Sequence, residues 1–389
     1  MTLSTISSAP AQTVARLNTA ARSNLKDIDA LRGAAALIVA AMHIREITWV
    51  GVRAFSRQEE GRTFPDAILG YMTFPLVWGL IGVPIFFVLS GYCIHRSQAI
   101  ARARHGSFRL PVANFLTRRF VRIYPVLIGA LLLTAACDWI SWHYVPNSPK
   151  LGDDGFELFL VNLFSLQGVA GSVYGSNGAL WTLSIEVHFY ILYPLLLKLM
   201  SWLGNARALG ALVILGAVSY FAFERRGYSV FSSYYVSWYL GVLVAEAEAT
   251  GVFEEEMSSS RRRAALSGTS LVLACAGCAL YFVSSYVAFQ LWALAFALFL
   301  FVVRTRQTEF KGSLAAFLRW MGTFSFSLYI VHLPLAVLIY SVVFHSARQA
   351  SLAPFYATLA AVIGGSYLFS LVFEKPALAW SKVIKGGKS

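Results

Sequence analysis

The sequence predicts an all-α polytopic membrane protein with about ten transmembrane helices, a short re-entrant or interfacial helix, and both termini in the cytoplasm. Composition is the first ground. The chain is 57% hydrophobic and 13% charged, with a mean hydropathy of +0.62, whereas a soluble domain carries about 25% charged residues. Spacing is the second. Apolar runs recur near 31–49, 76–95, 119–138, 180–200, 207–223, 231–246, 264–282, 286–303, 322–343 and 354–374. Each is about 16 to 22 residues long, near what a bilayer core requires. The third ground is where the charge lies. Ten spans put both ends of the chain on one side, and 24 of the 32 Lys and Arg residues fall there, from Arg16 and Arg22 through Arg306 to Lys388. An excess of Lys and Arg marks cytoplasmic loops. The net charge of +13 is therefore a topology signal. The partner it implies is the lipid bilayer and not nucleic acid.

The segments between and around the spans follow from the same logic. Residues 1–25 are polar and rich in Ser, Ala and Thr, with no apolar core for a signal peptide; a disordered or surface-lying cytoplasmic tail is expected. FELFLVNLFSLQGV (156–169) is about 14 residues, too short to cross comfortably. It is assigned as the re-entrant or interfacial helix, inside a non-cytoplasmic loop over 139–179. That loop carries Trp139, Trp142, Tyr144, Asp153, Asp154 and Glu157, which suit either a sugar or an interfacial aromatic belt. Residues 378–389 read as a basic cytoplasmic tail. Of Cys93, Cys137, Cys275 and Cys278, the last two have C-x2-C spacing but no second ligand pair. Buried helix cysteines are expected, with no metal site and no disulfide framework.

Function is sought among polar groups that an apolar span should not contain. Arg32 and His43 lie eleven positions apart in LRGAAALIVAAMH, which puts them on one helix face about 16 Å apart. They form either a polar track or a snorkelling arginine plus a satisfied histidine. In the second span, Ser90-Gly91 gives a small packing face, and His95 and Arg96 are placed at the cytoplasmic surface. Arg119 and Arg122, at i and i+3, share a face at the cytoplasmic mouth of the third span. Such a pair suits bidentate phosphate contacts, against a reading as charge anchors. Glu186 sits inside the run ALWTLSIEVHFYILYPLLL, near Ser184, His188 and Tyr190. It is there as a structural ion pair or as a functional carboxyl that meets His43. His332 precedes the bend-prone Leu333-Pro334; it caps the carbonyl that the proline frees, or it moves protons. Together these groups read as an anion-binding entrance leading to a buried acid–base site.

Six ordered runs resemble the membrane-bound acyltransferase 3 proteins of bacteria: DIDALRGAAALIVAAMH, GVPIFFVLSGY, FLTRRFVRIYPVL, LWTLSIEVHFYILYPLLL, FSFSLYIVHLPL and FEKPALAW. The resemblance covers about residues 26 to 377, which it marks as the transmembrane acyltransferase domain, without the C-terminal esterase-like domain of some members. It implies an inner-membrane O-acyltransferase that moves an acyl group, usually acetyl, from cytoplasmic acyl-CoA to a carbohydrate hydroxyl. Acceptors in the family include lipopolysaccharide, peptidoglycan and exopolysaccharide. Acetyl-CoA or another acyl-CoA is then a co-substrate, and no permanently bound cofactor is expected. Arg32, Arg119 and Arg122 are assigned to acyl-CoA binding, and His43, Glu186 and His332 to catalysis. Val187 stands where many relatives carry a second acidic residue, so no role needing adjacent carboxylates carries over.

On this reading His43 either deprotonates the acceptor hydroxyl or carries the acyl group as an acyl-imidazole. The rival class is a multi-spanning transporter or flippase for a glycolipid or anionic solute. It too explains many spans and buried polar groups, but not two arginines at the mouth of a histidine track.

Overall fold

The computed structural model describes residues 25–57, 64–146, 148–251, 259–305 and 309–386. Of the tail expected over 1–25, all but Leu25 lies outside these residues, as do Arg306 and Lys388. The described residues are helical, with two isolated bridges and no strand. In chain order the helices are α1 (Leu25–Thr48), α2 (Val52–Ser56), α3 (Phe64–Met72), α4 (Gly82–His105), α5 (Val112–Tyr144), α6 (Phe156–Leu163) and α7 (Leu180–Ala222). There follow α8 (Phe231–Ala249), α9 (Ser260–Leu280), α10 (Ser285–Thr305), α11 (Ser313–Gly322), α12 (Ser325–Phe344), α13 (Ala353–Val372) and α14 (Glu374–Gly386). A 3-10 segment, Phe74–Ile81, leads directly into α4.

All ten expected segments coincide with helix to within a few residues, but among the described residues seven helical stretches are long and apolar enough to cross a membrane. The difference has two sources. The expected spans 180–200 and 207–223 are one stretch, Leu180–Arg226, broken at Gly204, whose φ of 75° interrupts the helical backbone. The segments at 31–49 and 231–246 are the helices α1 and α8, which carry charge: Asp27, Asp29, Arg32, Arg45 and Glu46 on α1, Glu246 and Glu248 on α8. Both are packed inside the bundle, where neighbouring helices rather than lipid solvate polar groups. The remaining helices turn bare apolar side chains outward. Trp202 on α7 is 82% exposed and Val272 on α9 is 67% exposed, an arrangement suited to hydrocarbon and not to water.

Small residues set the closest approaches. α4 and α8 cross where a Cβ on Gly91 would lie 2.0 Å from the Trp238 carbonyl oxygen, and one on Gly241 would lie 1.9 Å from that of Val88. Membrane helices associate through such small-residue contacts because lipid offers no hydrophobic drive. Gly241→Ala is expected to force the two backbones apart and destabilise the protein by about 1–3 kcal/mol, read as a lowered unfolding temperature in detergent.

Two expectations at the sequence level need correcting. His95 and Arg96 are not surface groups. His95 is fully buried, with Nδ1 2.9 Å from the Tyr193 hydroxyl and Nε2 2.6 Å from Glu246. Arg102 reaches the same carboxylate at 3.1 Å. Arg96 and Arg304 both pair with Glu248, at 3.3 and 2.5 Å. The two acids on α8 neutralise cations that an isolated span would have had to push to the headgroups. Of the four cysteines expected to be buried, only Cys137 is; Cys93 and Cys278 are half-buried, and Cys275 is exposed because α9 touches the bundle along one face only.

Candidate active site

The arginines and the glutamate that stood out in the sequence converge. Arg32 from α1, Ser90 from α4, Arg119 and Arg122 from α5, Glu186 and Tyr190 from α7, and Tyr329 from α12 line one cavity. The spacing of each pair explains how. Arg119 and Arg122 are three apart, and Glu186 and Tyr190 four apart, so each helix offers one face with two polar groups. The rest of the wall is apolar, with Phe86, Phe87, Leu183 and Ile330.

Glu186 is held rather than loose. Its Oε1 accepts a hydrogen bond from Ser90 Oγ at 2.9 Å and one from the Tyr190 hydroxyl. Trp238 Nε1 donates to the same Ser90 oxygen at 3.2 Å, which turns the serine proton toward the carboxylate. Among the described residues no hydrogen bond joins Glu186 to His43. The Arg119 guanidinium lies over the rings of Phe115 and Tyr190, 5.4 and 5.5 Å from their centroids. The described ion pairs within 4 Å use Lys26, His43, His95, Arg96, Arg102 and Arg304. Arg32, Arg119 and Arg122 are not among them. Three guanidiniums against one lining carboxylate make the cavity electropositive in a low-dielectric setting, where an anion gains most. Arg96 is not free to bind an anion, being taken up by Glu248.

The histidines meet farther along the same two helices. The rings of His43 and His332 stack with centroids 5.4 Å apart at 25°. His332 is fully buried. Its Nδ1 is 2.7 Å from the Tyr329 carbonyl and 3.2 Å from that of Leu328. Carbonyls only accept, so Nδ1 carries hydrogen, and Nε2 is buried with no partner among the described residues. In the neutral ring that nitrogen is the basic one. His43 is 30% exposed, with Nδ1 3.8 Å from Glu46. That acidic neighbour, three residues along α1, was missed in the sequence although i, i+3 spacing announces it.

His332 does not cap the carbonyl that Pro334 leaves free. Asn177 does: its Nδ2 donates to the Ile330 oxygen at 2.9 Å and to Thr134 at 3.1 Å. The loop delivering Asn177 is pinned to α5, since Ser176 N and Oγ donate to Asp138 at 2.7 and 2.5 Å. Gly175 makes the turn possible, with a φ of 56° and a would-be Cβ 2.2 Å from Asp138 Oδ2. Gly175→Ala is expected to lose about 1–2 kcal/mol to backbone strain alone, and more through the clash. Gly210→Ala on α7, where nothing lies within 4 Å, is the neutral or stabilising control, both read by thermal unfolding. Glu374, from the terminal FEKP run, accepts from Ser327 N and Oγ at 2.9 and 2.6 Å and so caps the start of α12. A cap supplied from a distant helix leaves no local sequence signal.

Comparison with known proteins agrees with this architecture. The family model described as "Acyltransferase domain" matches residues 25–371. The chain is 26% identical over 306 residues to "Putative peptidoglycan O-acetyltransferase YrhL" of Bacillus subtilis (strain 168), covering 70% of this chain and 47% of that protein. It is 27% identical over 164 residues to "Nodulation protein 10" of Rhizobium leguminosarum bv. viciae, covering 38% and 41%. With "Peptidoglycan O-acetyltransferase OatA" of Listeria monocytogenes serovar 1/2a the figures are 32% over 149 residues, covering 36% and 24%. The chain thus spans less than half the length of each of these relatives. No solved structure matches it. With a family match running across nearly all of its helical bundle, the chain belongs to the acyltransferase 3 family.

Proposed function

We propose that this chain is a membrane-embedded O-acyltransferase that takes an acyl group, acetyl in the first instance, from cytoplasmic acyl-CoA and passes it to a hydroxyl of a cell-envelope or secreted glycan. The observation that carries the reading is the convergence of Arg32, Arg119, Arg122 and Glu186 on one cavity. The donor is a polyanion with a long thin arm. Guanidiniums at the mouth suit its phosphates, and apolar walls suit the arm. The basic side of the bundle is then the cytoplasmic face of a bacterial inner membrane. The relatives' names, two of them peptidoglycan O-acetyltransferases, support a glycan acceptor.

The chemistry needs one base and one exit for a thiolate. A ring nitrogen of His43 takes the proton of the acceptor hydroxyl, whose oxygen bonds to the thioester carbonyl carbon. The carbon–sulfur bond breaks, and the CoA thiolate leaves with the proton from the imidazolium. In the two-step variant the His43 nitrogen itself bonds the acyl carbon, CoA leaves as the thiol, and the hydroxyl then displaces the imidazole. His332, stacked on His43 with its tautomer fixed by α12, orients that ring and takes part in proton transfer. Glu186 balances the charge of the arginines and positions the donor.

A binding measurement tests the donor site independently of any acceptor. Protein in lipid nanodiscs should bind radiolabelled acetyl-CoA saturably, and the thioester of free pantetheine, which lacks the nucleotide phosphates, should compete at least tenfold less well. Equal competition by the two would remove the phosphate role from the arginines, and no binding would remove the donor.

A further inference from the structure

Neither His43 nor His332 lines the arginine cavity, whereas Tyr329 lines it and also touches His332. The Tyr329 ring lies 5.9 Å from that of His332. His332 is fully buried and is absent from the cavity wall. Three residues of α12 separate the two, about 4.5 Å of helix rise. Two contacts fix the tyrosine in place. The Thr182 hydroxyl, from α7, donates to the Tyr329 hydroxyl at 2.9 Å. Phe86, from α4, meets its ring edge-on with centroids 5.4 Å apart. Residues from three helices therefore pack together in the cavity wall, with Tyr329 one helical turn from His332.

We propose that Tyr329 is a gate: latched to Thr182 it holds the donor thioester away from His43 and His332, and transfer proceeds when the latch opens. The inference rests on the donor reading of the cavity and adds to it a positioning residue that governs when the thioester reaches the base. A closed gate also keeps acyl-CoA from being spent on water, since the thioester is kept from the imidazoles until an acceptor is in place. The competing loss is hydrolysis, in which water replaces the sugar hydroxyl, the carbon–sulfur bond breaks, and free acid and CoA thiol are the products.

The test follows free thiol release from acetyl-CoA in nanodiscs without glycan, beside equilibrium binding of acetyl-CoA. Tyr329→Phe keeps the ring and removes the latch from one side; Thr182→Val removes it from the other, nearly isosterically. Each is expected to raise acceptor-independent hydrolysis at least fivefold per bound acetyl-CoA, read at saturating donor so that a change in the dissociation constant does not enter. Thr182→Ser, which keeps the hydroxyl, should return it to the wild-type rate. A purely structural role for the pair would lower binding and hydrolysis together and would not be rescued by serine. Intact binding with wild-type hydrolysis in both latch variants overturns the gate alone. Failure of the wild-type protein to bind acetyl-CoA overturns the donor cavity on which the gate rests.

Discussion

His43→Ala is expected to abolish acyl transfer, by at least the 10²- to 10⁴-fold that a positioned general base contributes, while the protein remains folded in the membrane and still binds acetyl-CoA. The two halves of that expectation come from separate places in the structure. His43 stacks on His332 and is partly exposed, so its loss takes away the reacting nitrogen and leaves a void at the edge of the bundle rather than in its centre. The arginine cavity does not include it. His332→Ala should be worse tolerated, because that ring is fully buried and removal opens a cavity in packed surroundings. The difference is measurable as a retained unfolding temperature in the first variant and a lowered one in the second. Wild-type transfer by a well-folded His43→Ala protein would end the scheme in which this imidazole does the chemistry.

The second large effect belongs to the paired arginines. Arg119→Ala and Arg122→Ala should each raise the KM for acetyl-CoA about 10- to 100-fold, the consequence of losing charge-assisted hydrogen bonds of about 1.5–3 kcal/mol. The maximal rate should change far less, because phosphate contacts far from the thioester are made equally in ground and transition states. Arg122→Lys should recover charge but not the planar fork, and so restore only part of the loss. Arg119 carries a second duty, lying over the Tyr190 ring beside the hydroxyl that holds Glu186. Its alanine variant should therefore lower the maximal rate somewhat as well, whereas Arg122→Ala should not. A pair of variants with unchanged KM would strip both arginines of the donor role.

How much of this was legible in the sequence depends on how local the cause is. The helices were legible because apolar runs of bilayer length declare themselves, and the arginines and Glu186 stood out because such groups are costly in those runs. That Arg119 and Arg122 share a face followed from their spacing alone. What spacing cannot give is the partner across the bundle. His95 and Arg96 read as snorkelling groups on α4, yet Glu246 and Glu248, more than 140 positions away, bury them. The depth of Glu186 was legible, but not the hydroxyls of Ser90 and Tyr190 that hold it. The fate of the carbonyl freed by Pro334 was posed correctly as a question, but the answer, Asn177, sits in a glycine-rich loop that reads as a plain turn. Tyr329 and Thr182 lie in two of the runs that carry the resemblance, but neither stood out by chemistry, since a tyrosine and a threonine are ordinary in an apolar helix.

The most direct measurement of the central claim is transfer of radiolabelled acetyl from acetyl-CoA to total cell-envelope glycan by membrane vesicles containing this protein, with Arg119→Ala/Arg122→Ala vesicles alongside. The account predicts that label enters a glycan fraction with the wild type and falls at least tenfold in the double variant at limiting donor. Vesicles whose protein binds acetyl-CoA but places no label in any glycan, with acetyl or succinyl donor alike, would contradict it.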